Sequence, residues 1–96
     1  MLLLARFRIV GHSMEPQIQS GQTILVSNIS YWFKTPKIHD IVAFRDSANK
    51  ILIKRIISIR NGKYFLTGDN KNDSLDSRSF GEIDRDKIIG KMIYKL

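Results

Sequence analysis

The stretch Ile51-Leu52-Ile53-Lys54-Arg55-Ile56-Ile57-Ser58-Ile59-Arg60-Asn61-Gly62-Lys63-Tyr64-Phe65-Leu66-Thr67 reads as two strands joined at Asn61-Gly62. A two-residue type I′ loop needs positive φ at both central positions, and Asn-Gly between apolar runs supplies it at little steric cost. With Arg60 facing Lys63, the ladder continues to Ile56 opposite Thr67 and Lys54 opposite Asp69. Lys54 is thereby carried to the mouth of the loop that begins Gly68-Asp69-Asn70. On its own face of the strand it is flanked by Leu52 and Ile56, because side chains alternate. An ammonium there is partly desolvated, but most strand lysines simply snorkel to solvent, so this pattern alone assigns no role.

Outward from the hairpin the composition stays that of a strand former, with fifteen Ile against eight Leu and three Ala. Further short apolar stretches fall at residues 7–10, 23–26, 41–44 and 88–94, separated by turn chemistry. Short strands at such spacing predict an all-β fold, a small antiparallel β-barrel that is closed or partly open. A length of 96 residues corresponds to a single domain, residues 1–96. Such a chain buries only about two-thirds of its unfolded surface, so its core must be compact.

There is no cysteine, hence no disulfide framework and no thiolate zinc site, and His12 and His39 are the only imidazoles. No cofactor or metal is expected. The longest unbroken apolar run covers residues 1–5, far short of the roughly 20 residues of a membrane span. We therefore expect neither a transmembrane segment nor a cleavable export signal within the sequence. The net charge of +7 is concentrated in residues 34–63, where eight basic and two acidic side chains give +6. Basic residues interleaved with apolar ones are typical of a wet strand face, and no aromatic nucleic-acid signature accompanies them. Nucleic acid is not expected as a partner.

Three segments carry chemistry together. The first is Gly11-His12-Ser13-Met14-Glu15-Pro16, a small-residue turn that presents a serine after the first strand. The second is Asp40-Ile41-Val42-Ala43-Phe44 with Ile53-Lys54-Arg55-Ile56-Ile57. The third is Gly68-Asp69-Asn70-Lys71-Asn72-Asp73-Ser74-Leu75-Asp76-Ser77-Arg78-Ser79-Phe80-Gly81. In this order and spacing they resemble the boxes of the type I signal peptidase family, the Ser/Lys endopeptidases, over nearly the whole chain.

The chemistry explains why these residue types are needed. A serine hydroxyl is a weak nucleophile at neutral pH and requires an adjacent base, and a lysine serves as base only when neutral, a state that desolvation favours. The resemblance implies Ser13 as nucleophile, Lys54 as general base and Ser74 as the hydroxyl that orients the Lys54 amine. It implies the Ser13 backbone N–H as the oxyanion donor. A hydroxyl donor two residues before the nucleophile, present in some relatives, is replaced here by Gly11. Met14 matches a residue packed beneath the substrate, although a plain core methionine reads the same way. Gly11, Pro16, Arg55, Gly68, Asp69, Asn70, Asp76 and Arg78 match positions that brace the site, the charged ones as ion pairs with unassigned partners. The histidines read as surface residues, and His39 stands where the family usually has Gly.

The resemblance further implies an extended substrate, a precursor protein or peptide, added as a β-strand beside Ser13 and cut after a small residue. Many relatives have an anchor helix ahead of the serine and a large inserted β-domain after the lysine; with 12 residues before Ser13 and 13 between Lys54 and Gly68, we expect neither within this sequence. This resembles the minimal branch that trims the propeptide of nickel superoxide dismutase, so one soluble precursor is an alternative substrate. Residues 2–4 and Tyr31-Trp32-Phe33, beside Lys34 and Lys37, either dip into a bilayer interface or are buried, so a peripheral membrane location and a soluble cytoplasmic one both stay open. A self-cleaving repressor domain uses a related Ser/Lys pair but needs a scissile segment of its own. A non-catalytic basic module for nucleic acid or anionic lipid accounts for the charge, yet not for Ser13, Lys54 and Ser74 together.

Overall fold

The computed structural model describes residues 4–70 and 82–96 of the chain. They form a single antiparallel sheet of seven strands: β1 (Leu4–Arg8), β2 (Thr23–Ser27), β3 (Ile41–Arg45), β4 (Ile51–Arg60), β5 (Lys63–Thr67), β6 (Ile83–Asp84) and β7 (Ile88–Lys95). Short 3-10 turns at Ser30–Trp32 and Arg85–Lys87 are the helical elements among the described residues. The sheet order is β1-β2-β7-β3-β4-β5-β6, and no pairing of β1 with β6 closes it, so the all-β fold is a curled, partly open barrel.

The hairpin forms at Asn61-Gly62, with φ of 52° and 75°, and Arg60 faces Lys63 as the turn type requires. The expected ladder holds through Ile59–Tyr64 and Ser58–Phe65, then slips at a bulge at Ile57. Beyond it Ile56 pairs with Leu66 and Arg55 with Thr67, not Ile56 with Thr67 and Lys54 with Asp69. One extra residue in β4 reverses the facing of everything before it. Ile56 and Leu66 become fully buried partners, while Ile57 stays exposed.

Two apolar clusters fill the interior. Ile9, Met14, Ile18, Ile24, Val26, Ile41 and Ala43 make the first; Val42, Phe44, Ile56, Tyr64, Leu66, Ile83 and Ile88 make the second. Strand β3 contributes alternate residues to both, which is why its sequence is a continuous apolar run. The first strand begins earlier than the 7–10 stretch suggests. It spans Leu4–Arg8 with Ala5 and Phe7 turned inward, Ile9 enters the core beyond its end, and Val10 is 90% exposed.

Candidate active site

Ser13 lies in the turn that leaves β1. Gly11, at φ +101°, adopts a left-handed backbone that side chains disfavour. The turn is closed locally: the Glu15 N–H donates to the His12 carbonyl (3.1 Å), the Ile18 N–H to the Met14 carbonyl (2.9 Å) and the Gly11 N–H to Ser20 Oγ (3.3 Å). Met14 (1% exposed) and Ile18 pin it to the first apolar cluster, leaving Ser13 half-buried between a sunken methionine and an exposed histidine. His12 Nδ1 bonds Glu15 Oε2 at 2.9 Å, and this bond holds the Glu15 carboxyl below the ordinary carboxylate value. Pro16 follows a cis peptide bond.

Lys54 comes from β4, three strands away from β2 in the sheet order and four from β1. It is 5% exposed and pairs with the fully buried Val42. Leu52 and Ile56 flank it on its own face, with the second apolar cluster behind them. The pairing of β4 with β5 ends at Arg55–Thr67, so Lys54 stands level with the start of the loop at Gly68. Curling of the sheet brings Ser13 and Lys54 to one cleft of about 290 Å3, walled by Phe7, Arg8, Ile9, Val10 and Met14 on one side and by Ile51, Leu52 and Ile53 on the other.

Of the charged positions expected to brace the site, Arg55 and Asp69 acquire partners. Arg55 grips Asp69 with two parallel bonds, Nε to Oδ1 and Nη2 to Oδ2, both 2.9 Å. That carboxylate raises the Arg55 pKa above its usual value. The Arg55 Nη1 donates to the His39 carbonyl at 2.9 Å. His39 is exposed and carries φ +82°, so the turn keeps the left-handed backbone that glycine favours even though a histidine occupies it. Asn70 binds the serine turn directly: its N–H donates to the Ser13 carbonyl (2.8 Å) and its Nδ2 to the His12 carbonyl (3.1 Å). Ser74, Asp76 and Arg78 lie outside the described residues.

Away from the cleft, the Tyr31 hydroxyl donates to Asp40 Oδ2 (2.6 Å), and burial together with that carboxylate raises its pKa. Lys91 approaches the same carboxylate at 3.5 Å. Of the aromatic run, Tyr31 is half-buried against the second apolar cluster, whereas Trp32 and Phe33 are exposed, the latter at 81%. Among the described residues no helix is long and apolar enough to cross a membrane. No group of three or more carboxylate or imidazole side chains among them is placed to hold a metal ion.

The model of the family described as "Signal peptidase, peptidase S26" matches residues 1–60 and 58–96. The chain belongs to that family. Among its relatives, Signal peptidase I V of Bacillus subtilis is 28% identical, covering 88% of this chain and 80% of the relative. Thylakoidal processing peptidase 1, chloroplastic, of Arabidopsis thaliana is 24% identical across 91% of this chain, but only 40% of the relative takes part. Signal peptidase IB of Staphylococcus aureus is 23% identical over 97% of this chain and 78% of its own length. The alignment with the Bacillus peptidase runs over 135 positions, more than the 96 of this chain, so that signal peptidase carries residues with no counterpart here. The site described above is thus the cleft of a peptidase S26 member.

Proposed function

We propose that this chain is a serine endopeptidase that removes an N-terminal signal or pro-peptide from a precursor after a small residue, using Ser13 as nucleophile and Lys54 as base. The observation that carries the reading is the meeting of a half-buried serine and a buried lysine, from distant parts of the sheet, in the walls of one cleft. The neutral Lys54 amine takes the Ser13 Oγ proton as Oγ attacks the scissile carbonyl. The resulting oxyanion is held by the Ser13 backbone N–H. Collapse expels the new amine, which receives the proton from Lys54 and leaves an acyl-enzyme on Ser13. Water, deprotonated by Lys54, then attacks the ester, and the proton returns to Ser13 Oγ.

Burial among Val42, Leu52 and Ile56 supports this role, because low-dielectric surroundings disfavour an ammonium. Ser74 is assigned the orienting hydroxyl from its place in the third motif. The substrate lies extended between the chain at residues 7–10 and the start of β4, and Met14 forms the floor of its pocket. Incubation with a fluorogenic peptide containing Ala-x-Ala, beside the Ser13→Ala variant, tests the assignment. Cleavage on the carboxyl side of the second Ala by wild type and none by the variant is expected; equal turnover by both overturns it.

A further inference from the structure

Ser13 and Lys54 sit on parts of the sheet that share no backbone ladder, so their spacing depends on curvature unless something ties them across the cleft. The described residues contain such a tie. The bulge at Ile57 makes Thr67 the partner of Arg55, and residues two apart on a strand share a face, so Asp69 follows Thr67 onto the side where Arg55 projects. Arg55, adjacent to Lys54, clamps Asp69 bidentately, and the next residue, Asn70, bonds the carbonyls of His12 and Ser13. Lys54 and Ser13 are therefore linked by two side-chain contacts and a few backbone bonds that bypass the sheet.

We propose that Asn70 is a positioning residue that sets the nucleophile turn relative to Lys54, its side-chain amide fixing the His12 carbonyl while its N–H fixes that of Ser13. The His12 carbonyl shares its peptide plane with the Ser13 N–H and the Ser13 carbonyl belongs to the next peptide, so the two bonds hold the planes on either side of the Ser13 Cα, from which Oγ projects. The inference rests on the assignment of Ser13 and Lys54 as the reacting pair. Substitutions of Asn70 remove the Nδ2–His12 bond and leave the backbone donor of residue 70, which survives any change except proline.

The test compares kcat, KM and thermal midpoint for wild type, Asn70→Ala, Asn70→Asp and Ser13→Ala on one fluorogenic peptide. Asn70→Asp keeps the volume but presents an acceptor to the His12 carbonyl, so a positioning role makes it no better than Asn70→Ala. We expect both Asn70 variants to keep midpoints close to wild type and to lose about ten- to a hundredfold in kcat, with KM changed less than about threefold. Wild-type kcat in Asn70→Asp, a loss confined to KM, or a kcat loss that tracks a collapsed midpoint would each overturn the inference. Turnover by Ser13→Ala would instead remove the reading beneath it, whereas an inactive Ser13→Ala beside a fully active Asn70→Asp would remove the tether alone.

Discussion

Replacing Lys54 by Met separates a lysine kept for chemistry from one kept for packing. The side chain is 5% exposed and faces Val42, Leu52 and Ile56, surroundings in which an apolar stem packs well and an ammonium does not. Exchanging a whole buried ion pair for apolar residues of similar volume is often neutral or stabilising, by about 1–4 kcal/mol, whereas removing one partner of a pair destabilises. We take the low end, about 0–1 kcal/mol, because Met reproduces the stem of Lys but none of the hydrogen bonding of its head. For a domain of this size that corresponds to a midpoint unchanged or raised by up to about 8 °C. Cleavage, by contrast, should fall at least about a thousandfold, since members of a nucleophile–base unit fail together. Thermal melts by circular dichroism and single-turnover cleavage on the same preparation give both numbers. Lys54→Met cleaving within tenfold of wild type would refute the base. A midpoint lowered by more than about 8 °C would show instead that Lys54 is required by the fold.

Cleavage should rise with pH on the acid side, because protonation consumes the neutral Lys54 amine, and the rise should persist in a His12→Gln/His39→Gln double variant; its disappearance there would point to an imidazole base. The Glu15 carboxyl should titrate below the ordinary carboxylate value by carbon-detected NMR and move upward in His12→Gln. Its anion is the favoured form in the folded state, so that contribution is present at neutral pH and fades as pH falls through the lowered pKa. Gly90→Ala should lower the urea midpoint: a methyl there meets the Ser27 carbonyl oxygen at 2.9 Å and Val26 Cγ1 at 3.0 Å. Overpacking of that kind costs about 1–3 kcal/mol, which outweighs the roughly 0.4–1 kcal/mol gained by restricting the unfolded chain.

The hairpin was legible because Asn61-Gly62 constrains backbone dihedrals directly, and β3 because both its faces are apolar. The bulge at Ile57 was not. Residues 51–59 hold isoleucine at five positions that do not alternate with polar ones, so a one-residue slip leaves the pattern equally satisfied. That slip is what put Arg55, and not Lys54, on the face toward which Asp69 projects. The two-residue strand β6 is too short to leave any periodicity. At the site, Ser13 and Lys54 were singled out by the likeness of their surrounding motifs to a known family, since the strand pattern alone assigns Lys54 no role. The grip of Asn70 was not, because its partners are backbone carbonyls, which every residue possesses and no sequence distinguishes. His39 shows the same blindness: the left-handed turn is set by the fold around it, with Arg55 holding its carbonyl, and the letter at that position suggests otherwise.

Strand β7 comes last among the described strands yet lies between β2 and β3 in the sheet, pairing Leu25 with Tyr94 on one side and Ala43 with Gly90 on the other. A chain emerging from the ribosome folds from its N-terminal end as it is synthesised. Here the hairpin-like pair β1–β2, which leads to the serine, and the meander β3–β4–β5, which bears the lysine, can each form early. Neither can join a common ladder until residues 88–95 arrive. The cleft is thus assembled only once residues 88–95 have been made, and a nascent chain stalled before Ile88 holds Ser13 and Lys54 without the sheet that brings them together.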